Sequence, residues 1–221
     1  MAEPKSQRER LREQQKAAKR KRTITWITAA VVVIVGGLLL HFLPKWTADN
    51  TALPTQDGFS IGDPNAPVKV EEFSDFRCSH CRDFSDNDEE AFITKYVETG
   101  KVYMTFYNFP FLADDSYDAA EAAYCAADQN AFWQYKTLLF KYNSHSDAYI
   151  ESNLVDYAKQ LGLDTDSFSA CLQSDQHLAD IEADKEYATS LGIDSTPQFK
   201  VNDTNVFKNE LDQTVEAELA K

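Results

Sequence analysis

Two cysteines separated by two residues, Cys78 and Cys81, stand between an apolar strand-like run and a helix-like segment. Val68 to Phe76 leads in, with Val68, Val70 and Glu72 on one face under two-residue periodicity. Arg82 to Val97 leads away, with Phe84, Phe92, Ile93, Tyr96 and Val97 at helical spacing. A Cys-x-x-Cys in that setting signals redox chemistry. With Cys78 at the first turn of the helix, its sulfur faces unpaired N–H groups and the positive end of the helix dipole. His80, when protonated, adds a positive charge beside the same sulfur. A thiol acidified in this way is a good leaving group in disulfide exchange.

Glu72 sits six residues before Cys78 on an otherwise apolar face. Two readings stay open: a sheet-end carboxylate in water, or a partly buried carboxyl with a raised pKa that relays protons to Cys81.

Charge divides the 221-residue chain. Residues 1–22 hold nine Lys or Arg against three Glu, a net +6, and the rest holds thirteen basic against thirty-three acidic residues, a net −20. The acidic part excludes a phosphate-binding face, so no nucleic-acid partner is expected. The basic head precedes twenty residues, Ile24 to Leu43, that contain no Asp, Glu, Lys or Arg. As a helix that stretch spans about 30 Å, the thickness of a bilayer core. Trp26 and Trp46 flank it as interfacial aromatics do, and the basic head orients it with the N-terminus in the cytoplasm. The reading is a basic cytoplasmic segment at 1–22, a transmembrane signal anchor at 23–43, a linker at 44–59 and one domain at 60–221. A cleaved signal peptide is the competing reading, and a buried helix of a soluble core is a weaker third.

Within the domain, Lys101 to Phe106 reads as a second strand. Ala119 to Tyr142 reads as helix, one or two meeting near Asn130. Short helices follow at 153–161 and 165–172, then a longer one from His177 to Leu191, ended by Gly192. The chain becomes a strand after Pro197, turns at 202–205, and closes with a hairpin partner and a helix from Glu210.

The order of these pieces resembles the DsbA-like branch of the thioredoxin superfamily over about residues 58–220. The resemblance rests on Gly62-Asp63-Pro64-Asn65-Ala66-Pro67, on Phe73-Ser74-Asp75-Phe76-Arg77-Cys78-Ser79-His80-Cys81, and on Leu191-Gly192-Ile193-Asp194-Ser195-Thr196-Pro197-Gln198-Phe199. It implies an α/β thioredoxin fold with an inserted helical subdomain at about 115–175, preceded by one transmembrane helix. It makes Cys78 the exposed nucleophile, Cys81 the buried resolving cysteine, and Thr196-Pro197 a cis bond against the disulfide. Glu72 matches the acidic position many relatives carry. Ser79 departs from the proline common there, and His80 agrees with oxidising members.

The activity implied is protein thiol:disulfide oxidation by a Cys78/Cys81 pair. Its substrates are reduced or unfolded exported proteins, and a quinone-linked membrane oxidase of the DsbB or vitamin-K-epoxide-reductase kind regenerates it. No cofactor and no metal are expected. In an oxidising compartment Cys125 and Cys171 are read as a structural disulfide, with buried free thiols the alternative. The rivals are a reductase or isomerase of the same fold, a metal site at Cys78, His80 and Cys81, and a non-catalytic anchored module.

Overall fold

The computed structural model describes residues 56–221. The sheet is built on β3 (Val68–Ser74) and β4 (Val102–Asn108), whose alternation puts every second residue on the same face. They pair in parallel from Val68 opposite Val102 to Ser74 opposite Asn108. The hairpin β1 (Gln56–Asp57) and β2 (Ser60–Ile61) adds antiparallel to β4, and β5 (Gln198–Val201) with β6 (Thr204–Phe207) adds antiparallel to β3. The order is β1-β2-β4-β3-β5-β6. Residues 56–59, assigned to the linker from sequence, thus belong to the sheet. Phe59 anchors them, its ring 4.3 Å from that of Tyr124 and 4.4 Å from that of Phe132.

One face of the sheet, with Val68, Val70, Val102, Met104 and Phe106, forms the main core. The other, with Phe73 and Tyr107, is covered by α7 (Leu178–Ser190) through Tyr187 and Ala188. α8 (Lys208–Leu219) closes the main face with Leu211 and Val215. Four helices lie between β4 and α7: α3 (Asp115–Ala127), α4 (Phe132–Tyr142), α5 (Glu151–Gln160) and α6 (Thr165–Ser174). They form the helical insertion of a thioredoxin-like α/β fold. Asn130, at φ 58°, turns the chain between α3 and α4.

The helix read as continuous from Arg82 to Val97 is broken. α1 (Ser79–Asn87) ends at Asp88, α2 (Glu89–Phe92) follows, and a π-helical turn (Ile93–Val97) completes the segment. Helical spacing of apolar residues does not register the break. It accompanies the inward turn of Glu89, which is buried against Lys136. Among the described residues no helix is long and apolar enough to cross a membrane. The anchor expected at 23–43, like the basic segment before it, lies outside the described residues.

Candidate active site

Strand β3 carries its pattern one residue past the sheet. Asp75, in the buried run Phe73 to Phe76, becomes the fastening point of the loop before the cysteines. Its Oδ1 accepts from the Arg77 N–H at 2.7 Å and the Ser116 hydroxyl at 2.8 Å. Its Oδ2 accepts from the N–H groups of Phe111 and Leu112 at 2.8 and 2.9 Å. Arg77 ties the same loop to the insertion. It pairs with Asp115, donates to the carbonyls of Asn143 and His145, and stacks over the Tyr149 ring. The carbonyl of Phe76 accepts from the Asn143 amide at 2.8 Å and the Tyr149 hydroxyl at 2.7 Å.

Held this way, Cys78 caps α1 rather than lying within its first turn. Its φ of −73° and ψ of 122° are those of an N-cap, and its sulfur accepts from the Cys81 N–H at 3.4 Å. Both active-site cysteines are free thiols in this structure. The Cys78 thiol is lowered to about 5. The Cys81 side chain is the largest cause, and it outweighs the opposing effect of burial. The Thr196 hydroxyl and the N–H groups of Cys81 and His80 add to it. Burial, then the adjacent Cys78 sulfur, drive the Cys81 thiol well above its ordinary value of 9.0.

Cys78, expected as an exposed nucleophile, keeps only 5 % exposure, against 0 % for Cys81. The Thr196–Pro197 turn covers it, and the Cys78 thiol lies 3.3 Å from the Thr196 carbonyl. His80 is at the surface, and its backbone N–H is among the groups that stabilise the Cys78 thiolate. The Thr196–Pro197 bond is cis. The Thr196 hydroxyl is buried without a hydrogen-bond partner among the described residues, and it favours the charged form of both sulfurs. Beside the pair lies an open groove of about 370 Å³, lined by His80, Asp83, Ser195, Thr196, Pro197 and Phe207, with Lys208 and Asn209 at its edge.

Glu72 is fully buried, which removes the reading of a sheet-end carboxylate in water. Burial pushes its carboxyl up, although Lys136 opposes this. Its Oε1 accepts from the Ser74 hydroxyl at 2.6 Å, and the same hydroxyl favours the charged form of the Cys81 sulfur. Its Oε2 lies 3.0 Å from Lys136 Nζ, which also pairs with Glu89. Burial works to lower the Lys136 ammonium, but the two carboxylates outweigh it and raise it. With all three ionised the cluster carries net −1 in an apolar interior, which is costly. A proton on one carboxyl makes it neutral, and complete burial favours Glu72 as its holder.

Lys136, Glu89, Ser74 and Asp75 did not emerge from sequence reasoning. The signal for Lys136 was present: it interrupts an apolar helix face of Phe132, Leu139 and Phe140. Cys125 on α3 and Cys171 on α6, with Cα atoms 5.8 Å apart, form a disulfide remote from this site.

A low-pKa sulfur capping a helix, a second sulfur buried beneath it and a proton-holding carboxyl behind define a thiol:disulfide oxidoreductase. The family model described as Thioredoxin matches residues 54–220, so the chain belongs to the thioredoxin family. It is similar to the probable disulfide bond formation protein D of Bacillus anthracis, 28% identical over 202 residues, covering 87% of this chain and 93% of that one. The solved structure of oxidised BdbD from Bacillus subtilis superposes with a TM-score of 0.67 at 25% identity, covering 76% of this chain and 97% of that one. DsbA of Chlamydia trachomatis shares the fold, with a TM-score of 0.67 at 20% identity over 74% of this chain and 92% of that one.

Proposed function

We propose that the chain is a dithiol oxidase that introduces disulfides into exported proteins from a membrane-anchored position. The observation that carries the direction is the split between the two thiols, Cys78 lowered to about 5 and Cys81 raised. Stabilising the Cys78 thiolate favours the reduced product, which makes the disulfide oxidising.

In the oxidised form a substrate thiolate attacks the Cys78 sulfur and forms a mixed disulfide. The Cys78–Cys81 bond breaks and Cys81 leaves with the electron pair. Its high pKa demands a proton, which Glu72 supplies through the Ser74 hydroxyl. A second substrate thiolate then attacks the substrate sulfur of the mixed disulfide, and Cys78 departs as a thiolate. Two electrons have passed from the substrate dithiol to the enzyme. The groove beside Pro197 suits an extended, unfolded segment, with Phe207 as an apolar contact and Lys208 already paired with Asp83 and Asp88.

Export and anchoring rest on the basic head and the apolar stretch at 23–43. A quinone-linked membrane oxidase of the DsbB or vitamin-K-epoxide-reductase kind is the proposed regenerating partner. The test is the reduction potential of Cys78–Cys81 in the full-length chain in detergent, equilibrated against glutathione. A value of roughly −120 to −180 mV supports the oxidase. A value of roughly −250 mV or below overturns it in favour of a reductase or isomerase.

A further inference from the structure

The sequence suggests no metal site outside the redox pair, but the insertion assembles a donor set around its disulfide. Cys171 Sγ, an Asp128 carboxylate oxygen and a His177 ring nitrogen all lie within 4.8 Å of one another. So do Cys171 Sγ, Cys125 Sγ and a Glu121 carboxylate oxygen. These residues come from α3, its C-terminal end, α6 and the residue that precedes α7.

The histidine is already oriented. Its Nδ1 lies 3.1 Å from Asp180 Oδ2, and its backbone N–H donates to Glu121 Oε1 at 3.0 Å. Its ring stacks on Tyr124 at 5.0 Å. Asp180 accepts from Nδ1–H, the kind of contact that orients metal-bound histidines, and a metal would take the place of the proton that Nε2 shares with Asp128. Nε2 points at Asp128 Oδ2, 2.9 Å away, with the Gln176 amide 3.0 Å from both atoms. An open cavity of about 580 Å³, lined by Cys125, Asp128, Cys171 and Gln176 among others, gives solvent access to the cluster.

We propose that reduction of Cys125–Cys171 converts this cluster into a zinc-class site ligated by Cys125, Cys171, His177 Nε2 and Asp128. Two thiolates, one imidazole and one carboxylate make a tetrahedral set for a borderline-soft divalent cation. With Zn–S distances of about 2.3 Å the two sulfurs stand about 3.7 Å apart. The 5.8 Å Cα separation accommodates that span by side-chain rotation. While the disulfide is intact its sulfurs are not thiolates, and the site is closed. A dithiol opens it by donating two electrons and two protons, becoming a disulfide while the Cys125–Cys171 bond becomes two thiols. Metal entry then releases those two thiol protons, together with the proton that His177 Nε2 shares with Asp128. The metal holds α3 to α6 in the reduced chain as the disulfide does in the oxidised one.

The test uses the full-length chain in detergent with Cys78→Ser and Cys81→Ser, since the redox pair itself binds thiophilic metals. A phosphine serves as reductant because dithiols chelate. It takes the oxygen of one water, whose two protons go to the sulfurs. Zinc is titrated against a chromophoric chelator, and cobalt(II) reports thiolate ligation by its charge-transfer band. About one equivalent is expected in the reduced chain and none in the oxidised chain. His177→Ala should weaken binding at least tenfold. Asp180→Asn, an exposed change, should weaken it by about 10-fold or more through loss of histidine orientation. Zinc binding by the reduced chain no greater than that of a further Cys125→Ser/Cys171→Ser variant overturns the proposal, as does binding indifferent to His177→Ala. Loss of far-ultraviolet circular dichroism on reduction that zinc does not reverse also overturns it.

Discussion

Cys78 owes its acidity first to its neighbouring sulfur, and then to the Thr196 hydroxyl and the backbone N–H groups of Cys81 and His80 at the head of α1. In the reduced chain at pH 7 a thiol lowered to about 5 is ionised by roughly a hundredfold excess. The ordinary value is 9.0, so between about pH 5 and 9 the unfolded chain holds a proton that the folded chain has lost. The stability of the reduced form therefore rises with pH across that window and is lost as pH falls through 5. Urea unfolding of the reduced and oxidised chains over this range checks it, because only the reduced form should show the rise. Replacing His80 by Ala should leave the midpoint of the Cys78 ultraviolet titration nearly in place, since the backbone N–H remains. A large upward move would show that the imidazole matters after all. Behind the sulfurs, Lys136→Met leaves two buried carboxylates without a counter-charge. We expect a loss of about 3–5 kcal/mol in urea unfolding, partly recovered when Glu72→Gln is added. If the single variant is as stable as the parent, the charge cluster described here is wrong.

At the scale of elements, the junction between β3 and α1 is where sequence and structure meet most closely and also where they part. The strand, the helix start and the following strand were legible because apolar residues alternate at two in Val68–Phe73 and Val102–Phe106. The insertion was legible because Ala- and aromatic-rich stretches exceed what one crossover needs. The break at Asp88 was not, because a π-helical turn and a kink leave the helical spacing nearly intact while rotating Glu89 inward. Nor were Asp75, Lys136 and Glu89, since their burial depends on partners 41, 64 and 47 residues away. Pattern reading treats a charged residue as solvated unless a distant partner is known. Asp75 shows what this costs: one carboxylate accepts from four donors in the loop before Cys78, the loop after β4 and the start of α3. Asp75→Ala leaves those donors unmet, and a loss of about 3 kcal/mol is expected. The thiolate titration should broaden or shift as well, because the Cys78 N–H still bonds the Asp75 carbonyl at 2.9 Å but the loop loses its far anchor. An unchanged titration with lowered stability would confine Asp75 to the fold.

Across the whole domain there are two cysteine pairs: the exchangeable pair at the head of α1, which is reduced in this structure, and the Cys125–Cys171 disulfide inside the insertion. The second spans 46 residues, so in the chain-entropy picture it contributes about 4 kcal/mol by restricting the unfolded state. Its grip on the active site is indirect. The insertion reaches the cysteine loop through Asp115 at the start of α3 and through Asn143 and Tyr149 beyond α4. The disulfide joins α3 to α6 at their far ends from those contacts in sequence. Cys125→Ala/Cys171→Ala should therefore lower the melting temperature by about 10 °C. It should move the Cys78–Cys81 reduction potential by less than about 30 mV, a tenfold change in the exchange equilibrium. Both follow from paired measurements on the same full-length variant, thermal unfolding and equilibration with glutathione. A larger change in potential would mean that the insertion tunes the thiolate as well as holding the loop. The contact through which it acts would then be the Asn143 amide, which donates to the Cys78 carbonyl at 3.2 Å.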